Sequence, residues 1–255
     1  AAGRVADRDI IAPFDFQVFK SAEELQRERQ KVAAEVLPVL EFHPEVKEQV
    51  LDRILDFFNA LNRISHDPEL ARRLPRWEDF NRQAASGSRG GFKVHPRILR
   101  ALYAIDSLLS LSDDEIVYLL DPDCARFLRN SLKDFVVFRL REGLIGRETL
   151  SFLDGDFVVL RREGAENLIQ KSELTTLRQV VDLARAETVD HRYPEISRNL
   201  FIGMLSRFMQ PNISYNREET ENLRYLATQR VKPTRDQTVL RGEKIVGRGE
   251  RVTEQ

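Results

Sequence analysis

Near its end the chain reads Leu240-Arg241-Gly242-Glu243-Lys244-Ile245-Val246-Gly247-Arg248-Gly249-Glu250-Arg251-Val252-Thr253. Gly242 and Gly247, with Arg248 next, come close to the phosphate-cradling loop of a nucleotide hydrolase. That loop needs a lysine to reach the phosphates and a hydroxyl to hold magnesium. Here Arg248 and Gly249 stand in those two places. The loop must also open a helix whose first amides face the anion, and Glu250–Gln255 is too short for one that packs. The stretch therefore reads as a β-rich segment in which Gly242, Gly247 and Gly249 permit tight turns or bulges. Its expected partner is Phe14-Asp15-Phe16-Gln17-Val18, where apolar residues fall on every second position, the period of a half-buried strand. Pairing the two would bring residues 14–18 against residues 239–253.

Between these ends the pattern is helical. Ser21-Ala22-Glu23-Glu24 is a capping box, in which a hydroxyl and a carboxylate satisfy the free amides of a helix start. That helix should run to about Leu37, where Pro38 stops it. A second begins at Pro44, and Val46, Val50, Ile54, Phe57, Leu61 and Ile64 form one apolar face on it. Trp77, in a locally basic stretch, reads as a packing anchor. Ser86–Gly91 is a flexible loop and a candidate subdomain boundary. Helical patterning returns at Ile98–Leu109. Ser112-Asp113-Asp114-Glu115 caps Ile116–Leu120, and Asp121-Pro122 opens a helix carrying Phe127, Leu128, Leu132, Phe135, Val136 and Leu140. Phe157–Leu160 and Asn167–Ile169 suggest a hairpin turning at 161–166. Helices follow over Leu174–Ala186 and Ile196–Met209, and Asn216 with Glu219 caps another carrying Leu223, Leu226 and Ala227. No fixed-period repeat is evident, which argues against a solenoid. The fold class is α+β, mainly α-helical: a helical body with a small sheet built from N-terminal and C-terminal strands and a central hairpin.

Composition narrows the function classes. Of 255 residues 42% are hydrophobic, enough for a core, and 32% are charged. Lys+Arg 40 against Asp+Glu 41 leaves a net charge of -1, without the basic excess of a nucleic-acid binder. The single cysteine, Cys124, permits no intramolecular disulfide and no cysteine-cluster metal site. No apolar run approaches the roughly 18 residues of a transmembrane helix, and no signal peptide is visible.

Candidate chemistry is sparse. His66-Asp67 is the pair to weigh, because adjacent His and Asp bind metal in HD-type phosphohydrolases. That chemistry also needs a preceding histidine and a distant aspartate. Ser65-His66-Asp67-Pro68-Glu69 reads instead as a turn between helices, with Asp67 as a cap. His43-Pro44 and His95-Pro96 also sit at helix starts, and His191 lies in a polar, aromatic loop. No Gly-x-Ser-x-Gly elbow occurs. Cys124, inside a helix, reads as a small buried apolar residue. Asn212-Ile213-Ser214 is a formal glycosylation sequon of little weight. No catalytic, cofactor-binding or metal residue is assigned, and the ligand-binding residues are unknown.

Two blocks carry a resemblance. The first is Ile11-Ala12-Pro13-Phe14-Asp15-Phe16 with Lys20-Ser21-Ala22-Glu23-Glu24-Leu25. The second is Pro211–Tyr215, the Thr220 helix, Val231-Lys232-Pro233 and Leu240–Thr253. Together they resemble the extracytoplasmic domain of the bacterial seven-transmembrane HD family, the membrane-bound cyclic-di-AMP phosphodiesterases. The resemblance implies one sensor-type domain over residues 1–255 on the outer face of a plasma membrane, within a longer integral membrane protein. It implies that the chain is not itself an enzyme and carries no cofactor, divalent metals belonging to the cytoplasmic HD domain. Its implied partners are its own transmembrane and HD domains, an unidentified extracytoplasmic ligand or protein, and a second copy in a homodimer; nucleic acid is not among them. The alternatives are a stand-alone metal hydrolase using His66-Asp67 and a protein-interaction scaffold in the envelope.

Overall fold

The computed structural model describes residues 3–85, 92–106, 110–187 and 195–252. The loop at 86–91 and His191 lie outside the described residues. In chain order the first elements are β1 (Ile10–Ile11), β2 (Phe16–Phe19), α1 (Ala22–Glu35), β3 (Val39–Phe42) and α2 (Glu45–Ser65). Next come α3 (Pro68–Ala71), α4 (Trp77–Ala85), α5 (Pro96–Ile105), α6 (Asp113–Leu120) and α7 (Pro122–Glu142). After β4 (Leu144–Ile145) and α8 (Arg147–Ser151), the hairpin β5 (Phe157–Arg162) and β6 (Ala165–Gln170) leads through β7 (Thr175–Thr176) to α9 (Leu177–Glu187). The remainder is α10 (Glu195–Phe208), β8 (Ile213–Tyr215), α11 (Arg217–Gln229), β9 (Thr234–Val239) and β10 (Lys244–Val246). The architecture is α+β and mainly helical, as the sequence suggests. Contacts divide it into two compact units, residues 1–39 with 216–255, and residues 40–215.

The unit of residues 40–215 is built on burial. Its larger core takes Val50, Ile54, Phe57, Phe58, Leu61 and Ile64 from α2, and Leu128, Leu132, Val136 and Leu140 from α7. Trp77 is buried there, edge-on to Tyr118 with ring centroids 5.0 Å apart. The expected caps are present: Ser112 and Glu115 close a reciprocal capping box, and Asp121 accepts from the amides of Asp123 and Cys124. A smaller core of Leu40, Phe42, Ile145, Leu153, Val158, Leu160, Leu174 and Ile213 lines the six-stranded sheet, whose order is β6-β5-β3-β8-β4-β7. The hairpin is tighter than its sequence suggests. Arg161 to Glu166 continue the ladder down to Arg162↔Ala165, and only Glu163 and Gly164, both at positive φ, make the turn. Positive φ at both central residues matches the right-handed twist of the flanking strands.

In the other unit the termini pair, on two separate ribbons. β2 runs antiparallel to β9 with Phe16↔Val239 and Gln17↔Thr238, and β1 runs antiparallel to β10 with Ile10↔Val246. Helix α1 carries the expected capping box, and the Glu24 carboxylate that closes it also accepts from Arg235 at 2.7 and 2.8 Å. Helix α1 packs along α11, where Thr220 is fully buried and its hydroxyl accepts from the Val39 amide at 3.0 Å.

The C-terminal glycines resolve into a local repeat that the sequence reading missed. Leu240-Arg241-Gly242-Glu243 and Gly247-Arg248-Gly249-Glu250 are two copies of one turn. In each, the last amide donates to the first carbonyl at 3.0 Å, and the glutamate reaches back to the first amide, at 2.9 Å for Glu243 and 2.6 Å for Glu250. The arginine amides donate to Asp15 at 2.6 Å and to Asp9 at 2.7 Å. The third-position glycines donate to Ala12 and Ala6 at 2.9 and 2.8 Å. Their φ values of +89° and +85° explain why glycine stands there. Gly247 is different: its φ lies outside the left-handed range, and its amide is held by Glu250.

Candidate functional site

Helix α7 carries two stripes. Leu128, Leu132, Val136 and Leu140 are each no more than 1% exposed and face the core. Phe127, Ser131, Asp134, Phe135 and Phe138 follow at helical spacing beside them and line an open groove of about 500 Å³. The groove is completed by Ala184 from α9 and by Ser197, Arg198 and Phe201 from α10. Phe135 and Phe201 meet edge to face at 5.5 Å, a geometry that fixes both rings. Phe127 and Phe138 remain 43% and 56% exposed, so aromatic surface faces solvent here.

Its polar groups are placed unequally. The Arg139 guanidinium lies over the Phe135 and Phe138 rings at 5.2 and 5.1 Å and bonds Glu142 at 3.2 Å. Arg198 also lines the groove, and its Nε is buried with no hydrogen-bond partner among the described residues, as are those of Arg29 and Arg224 elsewhere. A buried donor left unpaired costs about 1–3 kcal/mol, which an acceptor entering the groove would recover. Below Ser197 lies Tyr118, whose phenol is pushed up by burial, with its Ser197 hydrogen bond pulling the other way. An apolar, aromatic-lined cleft with few convergent polar groups is the usual form of a small-molecule site.

The residues singled out from sequence do not converge on this groove. His66 ends α2, its Nδ1 2.9 Å from the Asn62 carbonyl, while Asp67 turns away to cap α3, accepting from Glu69 and Leu70 at 2.8 and 3.1 Å. Both side chains thus have capping tasks. Among the described residues, no group of three or more His, Cys, Asp or Glu is placed to hold a metal. His95 is itself a helix cap, accepting from the Arg97 amide at 3.2 Å, and His43 bonds Glu45 and Ser214. Cys124 is half-buried, and burial with the nearby Asp121 pushes its thiol up to about 12, so it is a poor nucleophile. Asn212 is 1% exposed and bonds both Leu144 and Leu140, which puts the sequon asparagine out of reach of any modifying enzyme.

The family model for the 7TM-HD extracellular domain matches residues 1–255, and the chain belongs to that family. It is an extracellular sensory domain of a 7TM-HD membrane protein, non-catalytic in this family. No curated protein and no solved structure matches the chain. Among the described residues no helix is long and apolar enough to cross a membrane.

Proposed function

We propose that this domain receives a small amphipathic ligand in the α7–α9–α10 groove and thereby regulates a cytoplasmic HD-type phosphodiesterase that hydrolyses cyclic-di-AMP. The observation that carries the ligand site is the groove itself, with exposed Phe127 and Phe138 beside the unpaired Nε of Arg198. These groups fit a ligand with an apolar body and one acidic group. The family supports the setting, an extracellular domain of a 7TM-HD protein. The chemistry of the parent would need divalent metal in the HD domain, and this chain would supply no ligand to it. A signal arises only if the ligand binds two states of the protein unequally.

Two measurements test the reading. Decanoate and phenylpropionate should raise the melting temperature of the 255-residue chain, since selective binding stabilises the folded form. Arg198→Gln should abolish that rise, and an unchanged rise would remove the site. Separately, the full-length protein should hydrolyse cyclic-di-AMP in the presence of divalent metal while this chain alone does not. Turnover with bound metal on this chain alone would instead favour a hydrolase built on His66-Asp67.

A further inference from the structure

We propose that the terminal ribbon, residues 3–20 and 231–252, docks on an anionic phospholipid surface with Arg241 and Arg248 as its paired phosphate contacts. The first support is a sorting of charge. Asp9, Asp15, Glu243 and Glu250 each give a carboxylate oxygen to a backbone amide within the ribbon, at 2.6–2.9 Å. Four of the ribbon's six acidic groups are thereby held against the backbone, Asp7 and Asp236 being the other two. The exposed side chains of Arg4, Arg8, Arg241 and Arg248 have no partner among the described residues. A chain of net charge -1 thus presents unpaired guanidinium groups along its paired termini.

The second support is repetition. Arg241 and Arg248 occupy the same position of two turns with one hydrogen-bond scheme, so their backbones are anchored alike, through Asp15 and Asp9. Guanidinium groups bind phosphate oxygens bidentately and shed water more readily than ammonium groups. The third support is apolar. Ile10, Ile11, Phe14, Leu240 and Ile245 are 41–64% exposed among these cations. Nucleic acid or an acidic protein would engage the arginines and give these side chains no task. A bilayer interface takes both, apolar groups at the acyl boundary and cations at the headgroups.

Co-sedimentation of the 255-residue chain with vesicles tests this. Binding is expected to phosphatidylglycerol–phosphatidylcholine vesicles, to weaken as salt rises, and to be negligible with phosphatidylcholine alone. Arg241→Gln and Arg248→Gln should each weaken binding about five-fold, and the pair about thirty-fold. Their backbone amides stay bonded, so the melting temperature should hold. The control Arg72→Gln with Arg73→Gln should bind as the wild type. Equal binding to neutral vesicles, or undiminished binding by the double variant, overturns the proposal. So does displacement by inorganic phosphate but not by chloride at equal ionic strength, which would mark an isolated anion site. Binding to polyglutamate in place of vesicles would mark a protein-facing surface and overturn it equally.

Discussion

The two units of this chain are held together by different physics. Residues 40–215 contain both hydrophobic cores, with Leu132, Leu144 and Leu205 fully buried. In the other unit Ala6, Ala12, Val39 and Val239 are the buried apolar residues among those described, and the largest is a valine. What that unit has instead is a dense set of backbone pairings and carboxylate–amide bonds along the ribbons. Burial makes a rigid body that tolerates surface change but not loss of volume. A hydrogen-bonded ribbon is insensitive to volume and sensitive to single carboxylates.

The largest expected effect falls on the buried unit. Leu132→Ala removes a side chain of 0% exposure and should cost about 2–5 kcal/mol, whereas Ile11→Ala, at 55% exposure, should stay within about 0.5 kcal/mol. Urea denaturation of the two variants gives both numbers, and similar costs would break the comparison. Next comes Asn212→Ala, which strands the Leu144 amide and the Leu140 carbonyl in the interior. A loss of about 1–3 kcal/mol is expected, and no loss would mean that the site relaxes around the change.

Smaller effects belong to the ribbon. Asp15→Ala should cost about 1 kcal/mol and speed hydrogen exchange at the Arg241 amide, with exchange in α7 unchanged. If α7 accelerates equally, the ribbon does not respond as a separate element. The smallest effect is one of pH. The Arg235 guanidinium, and then the Ser21 amide, hold the Glu24 carboxyl below the usual carboxylate range. A lowered folded value means that the contribution is present above the unfolded carboxylate pKa and is lost as pH falls through the folded one. Acidification should therefore loosen α1 against β9, seen as faster exchange at Ser21 and Glu24. Glu24→Gln should show that looseness at neutral pH and little further change on acidification.

What the sequence disclosed follows the same division. Capping boxes at Ser21 and Ser112 and the stripe of α2 are local, set by neighbours three or four residues apart, and they stand as expected. Short strands such as β3 and β8 were not legible, because Leu40 and Tyr215 pair across most of the chain and neither segment is long enough to show a period. The groove was half legible. Phe127 and Phe135 were read among the apolar residues that this helix carries, and only the packing of α10 separates the core stripe of α7 from the groove stripe. Arg198 carried no signal, since nothing in the sequence shows that its Nε ends buried without a partner among the described residues. The twin turns were in plain view as a repeated Arg-Gly-Glu in Leu240–Glu243 and Gly247–Glu250. A seven-residue repeat of two copies is too short to stand out until the hydrogen bonds are seen.

The central claim, that occupancy of the α7–α9–α10 groove governs the phosphodiesterase, is tested most directly in the full-length protein by filling the groove. Ser131→Trp places an indole in the groove that Phe127, Phe135 and Phe201 line. A change of about five-fold or more in the rate of cyclic-di-AMP hydrolysis is expected, with loss of any response to decanoate. A folded Ser131→Trp protein that hydrolyses cyclic-di-AMP at the wild-type rate, with the response to decanoate intact, would contradict it.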